Sequence, residues 1–250
     1  MFPRGYPFIK SAVAVALLAA LWQLTSVAVP TWPGPLRVIG LLAGHLGQPE
    51  FQHALLGSVR RMGIGYLLVM AIGISGGLVL GRVPLVDQVL GSLAVAMHAI
   101  PGAAWVPLSI IWFGMTERAV IFTIVLGAAG ILIVDTDAGI REVPPLIARA
   151  ARTMGARGVN YFWFVVVPSA IPKIVTGLRL AWAFGWRALM AGELFTSVTG
   201  LGQQLSAVSK TGRLDELLAL MLLVAVIGIA VDGLAFKRLE HLVRVRWGLA

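Results

Sequence analysis

Long apolar runs separated by short polar segments dominate this chain. Six of these runs come near the roughly 20 residues needed to cross a hydrocarbon core of about 30 Å, and we predict a membrane-spanning helix for each. The predicted spans lie near residues 8–29, 54–81, 85–113, 118–136, 170–194 and 214–236. The pattern therefore predicts an all-α polytopic membrane protein with about six transmembrane helices.

The first apolar run follows Arg4 and Lys10, as the core of a secretory signal would. Its apolar stretch continues from Ser11 to Val29 and ends without a small-x-small cleavage pattern, which favours an uncleaved helix. We therefore predict a single transmembrane domain over residues 1–250, with its core at 54–236.

Composition supports a membrane protein and limits the chemistry that the chain can perform. Hydrophobic residues make up 58% of the chain, charged residues 12%, and the mean hydropathy is +0.90, so a soluble fold would lack polar surface. The chain has no cysteine, no P-loop sequence and only four scattered histidines. We therefore expect no metal, no cofactor and no enzymatic activity, and the energy for uphill transport would come from a partner or an ion gradient.

The basic residues divide unequally between the two sides of the membrane. With the N-terminus in the cytoplasm, 13 of the 20 lysines and arginines fall inside, 6 fall outside, and Arg187 lies within a span. The positive-inside rule therefore predicts both termini in the cytoplasm. We expect a multi-pass protein of the plasma (inner) membrane. The net charge of +9 follows from this topology. We predict contact with membrane lipid but not with nucleic acid.

A basic segment, residues 142–168, separates the fourth and fifth predicted spans. Pro144 and Pro145 suit the first turn of a helix, and Gly155 and Gly158 suit its end. Between them, apolar residues recur at helical spacing on one side and basic residues occupy much of the other. A helix this short is marginal in water and needs a surface to dock on. The pattern leaves two surfaces open, the membrane and a partner protein.

The same segment resembles the Glu-Ala-Ala loop of ABC importer permeases. In that family the pattern is Glu-Ala-Ala, three residues, Gly, nine residues, then Ile-x-Leu-Pro. The residues that match it here are Ala150, Ala151, Gly155, Val165, Val167 and Pro168. Further segments make nearly the whole chain similar to the nitrate, sulfonate and taurine branch of the family: 32–35, 107, 111–114, 176–179, 191–194 and 200–202.

The resemblance implies the fold of a type I ABC importer transmembrane domain, like that of the methionine importer (MetI-like), with a cytoplasmic coupling helix. It also implies three partners: a dimer of ATPase subunits, a second copy of this chain, and an extracytoplasmic binding protein. The implied ATPase-coupling residues are Arg149, Ala150, Ala151, Arg152, Gly155 and Pro168. Two positions depart from the family pattern, because Arg149 replaces its Glu and Gly102 replaces a frequent proline.

Residues inside the predicted spans supply candidates for the translocation pathway or its gate. These candidates are His98, Pro101, Trp112, Arg187 and Glu193. A charged side chain at a helix centre costs about 2.5–3.5 kcal/mol on insertion scales, so it faces protein or water. Two interpretations of Arg187 stay open: contact with a small anion in the pathway, or a structural ion pair within the bundle, either with Glu193, which is not ideally placed six residues on, or with another acid. We expect Asp232 to pair with Lys237 or Arg238 near the membrane surface.

The resemblance implies a permease subunit of an ATP-driven importer for a small solute of the nitrate, sulfonate and taurine class. Two other functions are compatible with the residues alone: an ion-coupled secondary transporter that works without an ATPase, and a membrane scaffold that transports nothing. Nitrate, a sulfonate, taurine, bicarbonate and a vitamin precursor all remain open as the solute.

Overall fold

The computed structural model describes residues 6–29 and 31–248, with side chains from residue 13 onward, and its ordered elements are all helical. We number the helices in chain order. They are α1 (Tyr6–Ala28), α2 (Pro35–Leu46), α3 (Pro49–Arg82), α4 (Pro84–Ala99), α5 (Gly102–Phe113), α6 (Glu117–Arg141), α7 (Pro145–Thr153), α8 (Gly158–Phe195), α9 (Leu201–Thr211) and α10 (Leu214–Arg246).

Four of the described helices, α3, α6, α8 and α10, are long and apolar enough to cross a membrane. The pair α4 and α5 passes the same test together, so the described helices include up to five spans if this bent pair is one span. In α1, the part with described side chains, Val13–Ala28, is apolar but shorter than a full crossing, and the start of the predicted first span lies outside it. The prediction of an all-helical polytopic membrane protein is confirmed.

The third predicted span, 85–113, is not one helix. Helices α4 and α5 meet at an angle of 105°. Ile100 takes an extended conformation (φ −78°, ψ 124°), which is what a following proline favours, and Pro101 has no amide hydrogen to continue the helix. Gly102 then lies against α8, where an added Cβ would sit 3.2 Å from the Cβ of Ala188. Gly102, which stands where the family often has a proline, therefore makes a tight contact with α8.

Helix α6 is the centre of the packing, between α3 and α8. A row of glycines on α3 faces it: a Cβ at Gly73 would lie 2.6 Å from the Leu132 side chain, and one at Gly81 would lie 2.6 Å from Ile140. Along α3 these glycines form overlapping Gly-x-x-x-Gly patterns, which therefore allow close contact between α3 and α6 within one chain.

The fifth span begins earlier than its predicted start at residue 170. Helix α8 runs from Gly158, passes through a π-helical turn at Phe162–Val166, and continues beyond Pro168 and Pro172. A proline removes a backbone donor, and a local change of helical register lets the helix accommodate it. The predicted loop 142–168 is therefore the short helix α7 joined to the first turns of α8.

Candidate functional site

The predicted cytoplasmic helix forms with the predicted ends. Pro144 precedes it with φ −55° and ψ 130°, and Pro145 is its first residue. At its other end Gly155 adopts φ +85°, the amide of Gly155 donates to the carbonyl of Arg152 (3.1 Å), and the amide of Ala156 donates to that of Ala151 (3.0 Å). These two bonds make a Schellman motif, which needs the left-handed conformation that glycine adopts without strain.

Helix α7 carries an apolar face that no described part of the chain covers. Leu146 is 74% exposed and Met154, just past its end, is 87% exposed, while Ile147 and Ala150 are also exposed. An added Cβ at Gly155 would meet no atom within 4 Å. The small residues of this helix therefore leave open space for another surface.

The basic side of α7 is occupied locally. Arg149 Nε donates to the carbonyl of Pro145 at 3.3 Å, and the Arg152 guanidinium lies 5.7 Å from the ring centre of Tyr161. Pro168 lies in α8 and its carbonyl accepts a hydrogen bond from Trp247 Nε1 (2.8 Å). Arg149 and Arg152 are exposed and thus place positive charge on the side of α7 away from its apolar face.

Glu193 is held in a buried cluster at the opposite end of the spans. Its side chain is fully buried and accepts hydrogen bonds from Arg61 (2.7 and 3.0 Å), from the Ser58 hydroxyl (2.8 Å) and from the Gly202 amide (2.9 Å). Arg61 also donates to Glu117 (3.0 Å). The sequence pattern did not identify Arg61 as a site residue, although its position three residues after Ser58, on the same face of an apolar helix, is a usable signal.

The loop that follows α8 fits over this cluster. An added Cβ at Gly200 would lie 2.5 Å from both Arg61 Nη2 and the Glu193 carboxylate, and one at Gly202 would lie 2.6 Å from the Cβ of Glu193. The two glycines are therefore needed for close approach, and the segments 191–194 and 200–202 form one structural unit.

Arg187 does not pair with Glu193. It is exposed, its guanidinium lies 5.2 Å from the ring centre of Phe184, and it has no ion pair among the described residues. It lines a cavity of about 510 Å³ between α8 and α10, together with Trp182, Trp186 and Asp232.

The structure brings together some of the predicted pathway residues and separates others. The His98 ring meets Phe184 edge-on at 5.3 Å, and the bend after Pro101 packs on α8 at Ala188, next to Arg187 in the chain. Trp112 is exposed on α5, where its ring lies 5.4 Å from that of Phe122.

Asp232 binds a different partner from the one expected. Arg179 donates to its two carboxylate oxygens at 2.6 and 2.9 Å and also to Glu240 at 2.9 Å. The expected pairing with Lys237 or Arg238 is wrong, because the contact crosses from α8 to α10 instead of running along one helix. No group of residues that could hold a metal ion occurs in the described part of the chain.

Comparison with known proteins gives a family and a fold. Residues 69–243 match the family described as the binding-protein-dependent transport system inner membrane component. A putative ABC transporter permease of Methanocaldococcus jannaschii is 32% identical, over 87% of this chain and 84% of that protein. The taurine transport system permease of Escherichia coli is 30% identical, over 92% of this chain and 87% of that protein.

Solved structures agree with this fold. The inward-facing MetNI methionine ABC transporter superposes with a TM-score of 0.63 at 18% identity, over 76% of this chain and 94% of the matched chain. An amino acid ABC transporter gives a TM-score of 0.59 at 21% identity, over 79% of this chain and 94% of that one. The matched residues, 69–243, include both the bent pair α4 and α5 and the short helix α7. The chain therefore belongs to the permease family of ABC importers.

Proposed function

We propose that this chain works with ATPase subunits that dock on α7, with a second copy of itself, and with an extracytoplasmic binding protein that delivers a small anion. The proposed ATPase contact rests on one observation: α7 is a short helix with fixed ends and an exposed apolar face. Such a helix is marginal alone, and an open face with Leu146 and Met154 is stabilised when a partner covers it.

The charge on α7 specifies the partner surface. Arg149 and Arg152 are exposed on the other side of α7 from its apolar face, so acidic groups of the ATPase would lie at the rim of the apolar groove that receives α7. Arg149 stands where the family pattern has Glu, and the complementary charge on the ATPase would be reversed accordingly.

The proposed solute class rests on relatives and on one residue. Similar proteins include permeases named for taurine in Escherichia coli, nitrate in Leptolyngbya laminosa and aliphatic sulfonates in Bacillus subtilis. Taurine, nitrate and the sulfonates all carry an anionic oxygen group. The guanidinium of Arg187, which has no ion pair among the described residues, adds a positive group to the spans that suits such an anion.

A charge placed on the open face of α7 tests the docking. We expect Ala150→Glu to abolish co-purification with the ATPase subunit and to lower substrate-stimulated ATP hydrolysis in proteoliposomes at least tenfold, because it buries a carboxylate in the interface. Asn160→Glu is the matched control, since Asn160 is exposed in the first turn of α8, outside α7. It should leave both measurements unchanged.

Two outcomes would contradict the proposal. Retained ATPase binding by Ala150→Glu would remove α7 from the interface. Uptake by the chain alone in vesicles without ATP would instead support an ion-coupled secondary transporter.

A further inference from the structure

Arg187 occupies a position that lipid cannot satisfy. It lies eight residues before Phe195, the last residue of α8, which places it roughly 12 Å along the helix axis from that end at 1.5 Å per residue. This depth lies within a hydrocarbon core of about 30 Å. Because the side chain is exposed on the single chain, the face that carries it must meet water or protein.

The carboxylate that lines the same cavity as Arg187 already has a partner. Asp232 lines the same cavity as Arg187, but Arg179 holds both of its oxygens. Within the described residues Arg187 makes no hydrogen bond or ion pair, and its guanidinium lies 5.2 Å from the ring centre of Phe184. The cavity therefore contains one positive charge that the protein leaves uncompensated.

The ring of Phe184 fixes where this charge points. A guanidinium over an aromatic face keeps its donors free at the edge, where a planar or tetrahedral oxyanion can accept them. His98 packs edge-on against the same ring at 5.3 Å, and it holds the ring from α4. Trp182 and Trp186 give the cavity apolar walls, which suit the short carbon chain of a sulfonate.

We propose that the cavity between α8 and α10 binds a small monovalent oxyanion during transport, with Arg187 as its charged contact and Phe184 as the positioning residue for Arg187. This inference rests on the proposed function, because it names the site at which the imported solute is held. It adds a location and a chemical class, a sulfonate or nitrate-sized anion in a volume of about 510 Å³.

The absence of cysteine allows a direct test on the complete chain. Ala183 lines the same cavity one helical turn before Arg187, so Ala183→Cys introduces a single thiol beside the guanidinium. Its reaction rates are measured with an anionic sulfonatoethyl and a cationic trimethylammonioethyl methanethiosulfonate, in the purified chain in nanodiscs. The anionic reagent is itself a small sulfonate.

We expect the added change Arg187→Gln to lower the rate with the anionic reagent about fivefold and to raise the rate with the cationic one. A unit charge about 4 Å away in water changes a local concentration by about that factor. Nitrate should slow the anionic reagent when Arg187 is present and not when it is replaced. Lys210→Gln is the control, since Lys210 is exposed on α9 outside the cavity, and it should change neither rate.

Three results would overturn the site. The first is a reaction rate, with either reagent, that Arg187→Gln does not change. The second is a thiol that reacts with neither reagent, and the third is protection by nitrate that persists after Arg187→Gln. Phe184→Leu should shift the rates partly toward the Arg187→Gln values, and Phe184→Tyr should restore them. None of these measurements requires ATP or an ATPase, so a failure of docking at α7 would leave them unchanged.

Discussion

Arg61 and Glu193 form an ion pair in which both side chains are buried. Their atoms Nη2 and Oε1 are 2.7 Å apart, and the side chains are 1% and 0% exposed. The pair joins α3 to α8 across 132 positions of sequence, and the loop glycines close over it. Burying two charges is costly, but removing one of them is worse because the other stays behind uncompensated.

Loss of Glu193 is therefore expected to destabilise the fold. Glu193→Gln leaves Arg61 with only Glu117 as an acidic partner, and we expect a loss of about 3–5 kcal/mol in the free energy of unfolding. Denaturant unfolding of the purified chain in detergent measures it. Arg60→Gln is the control, because Arg60 is 58% exposed and an exposed pair with Glu117 contributes about 0–1 kcal/mol. Equal losses in both variants would contradict the structural role of the buried pair.

The glycines of α3 should differ sharply in their tolerance of a methyl group. A Cβ at Gly73 would lie 2.6 Å from Leu132, so Gly73→Ala is expected to cost about 1–3 kcal/mol by overpacking the contact with α6. Gly63 lies on the same helix with no atom within 4 Å, and Gly63→Ala should be neutral or stabilising by up to about 1 kcal/mol. Thermal unfolding in one detergent compares them, and a destabilised Gly63→Ala would argue against this packing.

The end of α7 should depend on Gly155 through its backbone. Gly155→Ala forces an alanine to φ +85°, at a cost of about 1–2 kcal/mol, while the site offers open space for the methyl group. We expect the amide of Ala156, which donates to Ala151, to exchange with deuterium about tenfold faster as the Schellman bonds open. Gly155→Asn should have a smaller effect, since asparagine tolerates this conformation better. Unchanged exchange in Gly155→Ala would show that α7 ends differently.

The predicted topology can be tested with single cysteines in this cysteine-free chain. Gly47→Cys should react with an impermeant maleimide in intact spheroplasts, because the segment after α1 is predicted to be extracytoplasmic. Arg157→Cys, in the cytoplasmic loop, should react only after the membrane is permeabilised. The reverse pattern of labelling would invert the orientation that the basic residues predict.

Local sequence determined much of this protein. The apolar runs predicted the long helices, since a span needs only enough consecutive apolar residues to satisfy its backbone inside lipid. Helix α7 has its predicted ends because Pro145 and Gly155 act on the backbone beside them. The spacing of Ala151, Gly155 and Pro168 also carried the resemblance to the permease family.

Tertiary structure alone decided the partners of the charged residues. Glu193 was open to pairing with Arg187, six residues away, yet it binds Arg61 on another helix, and Asp232 binds Arg179 instead of its near neighbours. The bend at Pro101 is likewise fixed by Gly102 against Ala188. Spacing along a chain reports which residues share a helix face, but it carries no information on which faces meet. The packing of α3, α6 and α8 determines which faces meet. It leaves the side chain of Arg187 facing an open cavity, with no carboxylate partner among the described residues.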